Sequence, residues 1–444
     1  MERQLCAGLL YLRRACRCRA HRPDVCQESV ARNLGRRRRR TDLAMTRTLI
    51  LLLALAPAGA AHAQAVELEP VGEARLRYEN VDQDGLAANA EALTLRVRAG
   101  VEAKAGRWSA LVEGQGNLAI IDDYFDGLHG AATRPIIADP ENIALARAQL
   151  RYAAPAITVT AGRQRIGFDD ERFVGSVGFR QNGQSYDAVR AEVTPVKGVK
   201  VDLAYAWSVR TIWGIDGAGA RQQAVSGDNL FANVGARTPV GKLSAFAYLV
   251  DQDEAEMQGF RMSSQSYGAR LDGSKSLGKA KIGWQLSYAR QSDWHHNPND
   301  YSADYYLADV AVDFGGPRVG AGYEILGANK GISLTSFQTP LATGFKFQGW
   351  ADKFLVTPPD GVRDLYASAG WSWKAVGPLK AVTVQAAYHD YRSDRASRAY
   401  GDEIDLLASA KLGKITGSLR YAHYRANSFA TGTDKIWLQF DWTL

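Results

Sequence analysis

The chain has 444 residues, with 54 Lys+Arg against 47 Asp+Glu, a formal net charge of +7 and only four cysteines. The basic excess is local: residues 1–63 hold thirteen of the basic and four of the acidic residues, so residues 64–444 keep 41 and 43, a net of −2. A nucleic-acid partner, which a basic body would favour, is therefore not expected, and with no cysteine after Cys26 neither is a disulfide framework.

In chain order, residues 1–44 come first and read as an upstream extension outside the mature protein. They hold Cys6, Cys16, Cys18, Cys26 and the run Arg36 to Arg40. From Met45 the pattern is that of a secretory signal over residues 45–63. Arg47 supplies the charge, Leu49 to Ala56 the apolar stretch, and Ala61-His62-Ala63 the small-x-small cleavage site, leaving Gln64 first. The apolar run is well short of the ~20 residues that span a bilayer. Secretion machinery is the partner implied.

Residues 64–444 then break into about eighteen stretches of alternating polar and apolar residues. In 281–289, Ile282, Trp284, Leu286 and Tyr288 share one side and Lys281, Gly283, Gln285 and Ser287 the other. The stretches 365–373, 382–389 and 435–442 read the same way. Period two means a strand with two unlike faces. The connections alternate too. Long ones fall near 81–90, 119–142, 166–184, 211–228, 252–263, 292–301, 328–362, 392–401 and 427–432, with tight turns between them. Nine long and eight short connections imply eighteen strands. A soluble core of this length would divide into domains, and no break in composition marks one. The expected fold is all-β: a single transmembrane antiparallel β-barrel in the bacterial outer membrane, with long external loops and short periplasmic turns. Outer-membrane lipid and barrel-assembly machinery are its expected partners, and no cofactor signature is present.

Placing the apolar parity outward turns particular charges inward. On the first strand these are Arg75 and Arg77; on the second Arg96, Arg98 and Lys104; on the fourth Arg147 and Arg151. Arg190, Arg270 and Arg420 follow on the sixth, tenth and seventeenth. Guanidinium forks hold carboxylates bidentately and keep their charge. Glu73, Glu79, Glu102, Glu113, Glu192, Asp272 and Glu324 also face in, so the arginines either form a basic constriction or brace the wall.

Catalytic chemistry has little support. His295-His296 lies beside Ser292 and Asp293 in one loop, but adjacent loop residues rarely make a triad and no orienting group is evident. Asp122, Asp123 and Asp126 lack calcium-loop spacing.

Two loop segments are distinctive: Gly162-Arg-Gln-Arg-Ile-Gly-Phe-Asp-Asp-Glu-Arg-Phe-Val-Gly-Ser-Val-Gly-Phe-Arg-Gln-Asn-Gly-Gln-Ser-Tyr-Asp-Ala188 and Lys346-Phe-Gln-Gly-Trp-Ala-Asp-Lys-Phe-Leu-Val-Thr-Pro-Pro-Asp-Gly-Val-Arg-Asp-Leu-Tyr366. With Phe168, Phe173, Phe179, Phe347, Trp350 and Phe354, both are too apolar to hang in water and are expected to fold inward and narrow the channel. Both resemble the signature of the alginate export family of outer-membrane channels. The resemblance implies an eighteen-stranded barrel with an arginine-lined pore that passes an anionic polysaccharide outward. It also implies that Arg163, Arg165, Arg172 and Arg180 fold over the pore mouth, and that Lys346, Asp352, Lys353 and Arg363, in and after the largest loop, line the pore or meet the substrate. The chain departs from the pattern in ending on Leu444 rather than on an aromatic residue. The reading is a passive anion-selective channel exporting an acidic polysaccharide such as alginate. The alternative is a substrate-specific uptake porin for small anionic or sugar solutes.

Overall fold

The computed structural model describes residues 65–255 and 259–444. The upstream extension, its cysteines and the signal segment lie outside the described residues. Eighteen strands follow one another: β1 (Glu67–Gln83), β2 (Ala90–Ala105), β3 (Trp108–Asp123), β4 (Asn142–Ala154), β5 (Ile157–Gln164), β6 (Ser185–Val196), β7 (Val199–Arg210), β8 (Ala224–Thr238) and β9 (Gly241–Val250) in the first half. The second half comprises β10 (Ser264–Leu277), β11 (Ala280–Asp293), β12 (Ser302–Asp313), β13 (Pro317–Leu326), β14 (Val362–Val376), β15 (Leu379–Arg392), β16 (Ala399–Leu412), β17 (Ile415–Ala426) and β18 (Thr433–Thr443). Each pairs antiparallel with its sequence neighbours. β18 returns to β1 in a ladder running from Glu73 opposite Thr443 to Gln83 opposite Thr433, which closes the sheet. Closure removes the free edges that a bilayer cannot hydrate.

The expected strand number, connection order and closed barrel are all present. The long loops are L1 (84–89), L2 (124–141), L3 (165–184), L4 (211–223), L5 (251–263), L6 (294–301), L7 (327–361), L8 (393–398) and L9 (427–432). All nine open on one end of the barrel; the other end has tight turns.

The outer face is apolar: Leu76, Val112, Leu150, Leu230, Leu286, Leu365, Leu406 and Leu438 all stand exposed on it. Left in water, a belt of this size would drive aggregation. Against lipid tails it is the required surface.

Two irregularities position the interior. A bulge at Glu113/Gly114 inserts an extra residue into β4. It lets Leu145 face out while Arg147, two positions on, turns in toward Glu113. β5 is the shortest strand. Its pairing with β4 stops at Ala148 opposite Arg163, because the chain leaves the wall at Arg165 and enters the lumen as L3.

Candidate functional site: the lumen constriction

L3 and L7 meet inside the barrel and are joined as one body. Val174 and Leu341 form a parallel bridge, and the Gly175 N–H donates to Leu341 O at 2.8 Å. The Thr343 N–H donates to Glu171 O, and its hydroxyl donates to the Glu171 carboxylate at 2.6 Å. The apolar residues that keep these loops out of water find partners inside. Phe173 packs against Phe246, Tyr248, Tyr305 and Phe337, and Phe168 against Phe231 and Tyr248. Phe179 of L3 stacks on Phe345 of L7 at 3.4 Å between ring centroids, and the Trp437 edge meets both.

Charges tie this body to the wall. Asp352 of L7 takes the Arg180 guanidinium of L3 and lies 3.4 Å from the Lys435 ammonium of β18. Arg180 also faces Glu79 at 3.7 Å and Asp139 at 4.0 Å. Arg77, fully buried, pairs with Asp139 of L2 at 3.1 Å and donates to Phe179 O. Burial alone would lower the Arg180 pKa, but Asp352, Glu79 and Asp139 outweigh it and the group is raised. On the far side Arg172 is held by Glu324 at 2.7 Å, and Asp170 by Arg270 at 2.6 Å. Burial would raise Asp170; Arg270 reverses that and holds it below the usual carboxylate range. Backbone strain gathers on the same two loops. Asp169, Glu171, Val177, Gln348 and Asp352 all take positive φ, between 49° and 67°. For Val177, a β-branched residue, this is costly.

Beside L3 the wall is basic. Glu73 answers three arginines: Arg98 at 2.5 Å, Arg96 at 3.1 Å and Arg165 at 3.9 Å. Glu113 answers Arg147 and, at 3.0 Å, Arg165. Arg75 pairs with Asp441 at 2.6 Å and donates to the Gly178 and Phe179 carbonyls. Arg420 has no carboxylate within 4 Å among the described residues. Its guanidinium lies 5.6 Å from the Phe179 ring and 5.8 Å from Trp350. Five guanidinium groups thus share three carboxylates, Glu73, Glu113 and Asp441, and Arg420 adds a sixth with none, so the charge beside L3 is in positive surplus.

Other expected residues sit elsewhere. Arg190 faces in but is closed bidentately on Asp202 at 2.7 and 2.8 Å. Arg151 faces in near the tight-turn end and is exposed. Lys346 reaches Glu171 at 3.4 Å, and Lys353 donates to Thr433 Oγ1 at 2.6 Å. Two expectations are corrected. Arg163 does not fold over the mouth: it stays in the β5 wall, forked on Asp187 and donating to Leu145 O on the unpaired edge of β4. Arg363 shares the outward parity of Leu365 and pairs with Asp394 at the rim, because β14 starts at Val362 and fixes its phase. His295 faces Asp251 at 3.4 Å, and Asp293 accepts from the Tyr301 N–H, so they form no triad with Ser292. Asp139, Glu403 and Asp441 were not singled out from sequence; each meets a partner distant in the chain, Arg77, the Ala351 N–H and Arg75 respectively.

A closed, lipid-faced barrel with a loop-narrowed polar lumen has the architecture of outer-membrane porins and belongs in the Gram-negative outer membrane. Solved structures with this fold include OccAB4 from Acinetobacter baumannii (TM-score 0.64, 13% identity, 86% of this chain and 99% of that one). OccK9 (OpdG) from Pseudomonas aeruginosa is as similar (0.65, 14%, 85% and 99%), as is the outer membrane protein OpdK from the same organism (0.63, 13%, 85% and 98%). No protein-family model matches the sequence, and no curated protein matches it.

The resemblance to the alginate export family is therefore corrected: the barrels this chain is similar to are Occ and Opd proteins. The physical reason is that both segments quoted for it are dominated by L3 and L7. Any loops that fold into a barrel and brace each other there need aromatic residues for packing and arginines for pinning. Export of an acidic polysaccharide is set aside with it.

Proposed function

We propose that the protein is a passive uptake porin for small solutes bearing a carboxylate, drawn through the constriction by the arginine surplus beside L3. Arg420 carries the reading. It lies between two aromatic faces with no carboxylate partner within 4 Å, so an incoming anion meets a donor fork that is already desolvated on two sides. Arg75, Arg96, Arg98, Arg147 and Arg165 give a continuous positive field toward it. A cavity of 620 Å³ on the loop side, lined by Arg172, Arg180, Trp213, Phe345, Phe354 and Leu355, is an amphipathic vestibule fit for a small organic anion. OpdK, one of the similar barrels, has been solved with vanillate, itself a small carboxylate. On this reading no step is catalytic. Residues 45–63 direct secretion and are removed, residues 1–44 are no part of the mature protein, and residues 64–444 enter the outer membrane through the assembly machinery.

Liposomes holding the purified barrel test this. Radiolabelled benzoate or butyrate should enter faster than a neutral solute of equal size, and long uronate oligomers should be excluded. Equal entry of charged and neutral solutes would reject it.

A further inference from the structure

On the loop side the barrel wall opens beside β4. This strand pairs with β5 only from Ala148 to Ala154, so Asn142 to Arg147 have β3 along one edge and no strand partner along the other. L4 covers part of the opening, the Ile215 N–H donating to Asn142 Oδ1 at 3.0 Å. What remains is a cleft of 60 Å³ whose walls include Asn142, Leu145, Arg98, Arg163, Arg165 and Arg210. Four guanidinium groups line it, and among the described residues no carboxylate does.

Two of the four belong to the lipid face rather than the lumen. Arg163 keeps the outward parity of Ile157 on β5, and Asp187, directly opposite it, keeps that of Val189 on β6. Arg210, at the end of β7, stands opposite Ser185, two positions before Asp187, and so shares this face. Asp187 lies 2.7 Å from Arg163 and 3.5 Å from Arg210. Arg163 takes both of its oxygens in a fork, and Arg210 Nε is left with no hydrogen-bond partner. On other strands each outward arginine has its own carboxylate: Arg290 has Asp304, Arg363 has Asp394 and Arg425 has Asp402. Here two guanidinium groups share one. The elements that carry them also expose Ile143, Leu145, Val189, Trp207 and Ile215.

A charge on the lipid face of a barrel is tolerated near the interface and costly toward the midplane, so arginines at the loop ends of β5 and β7 stand at headgroup depth. Headgroup phosphates offer several acceptor oxygens and fit guanidinium forks bidentately. We propose that this cleft binds the phosphate of an acylated glycolipid of the outer leaflet. Arg163 and Arg210 hold the phosphate, Arg98 and Arg165 behind them add positive field, and the acyl chains lie along Ile143, Leu145, Val189 and Trp207. The occupant seals the opening that L3 leaves in the wall when it turns into the lumen. The site faces the membrane and is independent of which solute the lumen passes.

The test is binding of lipid A, and of the same glycolipid stripped of its phosphates, to the purified barrel in detergent, read by native mass spectrometry. Wild type is compared with Arg210→Gln, the double variant Arg163→Gln/Arg210→Gln, and Asp187→Asn. Folding of each is checked by the heat-dependent mobility shift of the barrel on gels. Wild type should bind lipid A roughly 10-fold or more in preference to the stripped form. Arg210→Gln should cut that preference by about 5-fold, one exposed ion pair's worth, and the double variant should abolish it. Asp187→Asn frees both forks from a competing carboxylate and should raise the affinity for lipid A, a direction that damage to the wall does not produce. Equal binding of the two glycolipids by wild type, or an unchanged preference in Arg210→Gln, overturns the site, even if the double variant does not fold. Displacement of lipid A by millimolar inorganic phosphate or butyrate overturns the lipid occupant and makes the cleft a branch of the solute path.

Discussion

Asp352 is the point at which L7 is most exposed to a single substitution. Its carboxylate stands between Arg180 at 2.5 Å and Lys435 at 3.4 Å, and all three side chains are 8% exposed or less. Asp352→Asn keeps the shape and removes the charge, leaving two buried cations short of an anion. Breaking such a buried pair costs roughly 3–5 kcal/mol. Arg180 keeps Glu79 at 3.7 Å and Asp139 at 4.0 Å, so the lower end, about 3 kcal/mol, is the better figure. The barrel is held by eighteen ladders that Asp352 does not join, so the cost falls on the docking of L7. It should raise the undocked fraction by roughly 100-fold. The assay is limited trypsin digestion at Lys346 and Lys353 in outer-membrane preparations, alongside single-channel noise. Cleavage in L7 should rise by one to two orders of magnitude and conductance should flicker, while the heat-dependent gel shift keeps its midpoint. Unchanged cleavage, or loss of the folded barrel as a whole, would refute the claim that these charges pin L7. In a double-mutant cycle with Lys435→Met, the two losses should be clearly less than additive.

Gly349→Ala should undock the same loop by a steric clash, with no charge removed. Gly349 takes φ +74°, and a Cβ there would come within 2.4 Å of the Glu403 carboxylate and the Tyr391 hydroxyl; protease sensitivity in L7 reports it. Lys353 makes docking depend on pH. Burial, reinforced by Lys435, lowers its pKa from the ordinary 10.5 to about 8. Below pH 8 it is charged whether docked or free and the full desolvation cost applies. That cost is relieved between about pH 8 and 10.5, so docking strengthens by up to ~3 kcal/mol on raising the pH. Lys353→Met should flatten the pH dependence of L7 cleavage, and a steeper dependence in the variant would contradict the sign. Leu406→Arg places a charge on the lipid face of β16 and should destabilise the barrel by about 2–4 kcal/mol if Leu406 lies near the midplane, read as a lower midpoint in urea refolding. Arg163→Ala should leave butyrate block at wild-type strength, because this guanidinium is closed on Asp187 in the wall.

The barrel was legible because period two is a local signal. Leu76, Leu95 and Leu438 each declare an outward face from their own neighbours, and the parity then carries Arg75, Arg96 and Gln439 inward without knowledge of the fold. The inward turn of L3 and L7 could also be read, since Phe168, Phe173 and Phe354 have no place in water. What could not be read is who meets whom. Arg172 and Glu324, or Arg180 and Asp352, are far apart in the chain, and nothing near either residue points to the other. Arg363 was misplaced because the loop motif runs five residues into β14, as far as Tyr366, and there strand phase rather than motif decides the direction. The resemblance of the two loops misled because their composition follows from folding into a barrel, which many channels require.

The central claim is that positive charge at the L3–L7 constriction decides what passes. Reversal potential across a planar bilayer under a tenfold KCl gradient measures this directly. Wild type should conduct chloride in preference to potassium, and Arg96→Gln/Arg165→Gln/Arg420→Gln should lose that preference while still conducting. A wild-type channel that prefers potassium, or a triple variant with the wild-type reversal potential, would contradict the account.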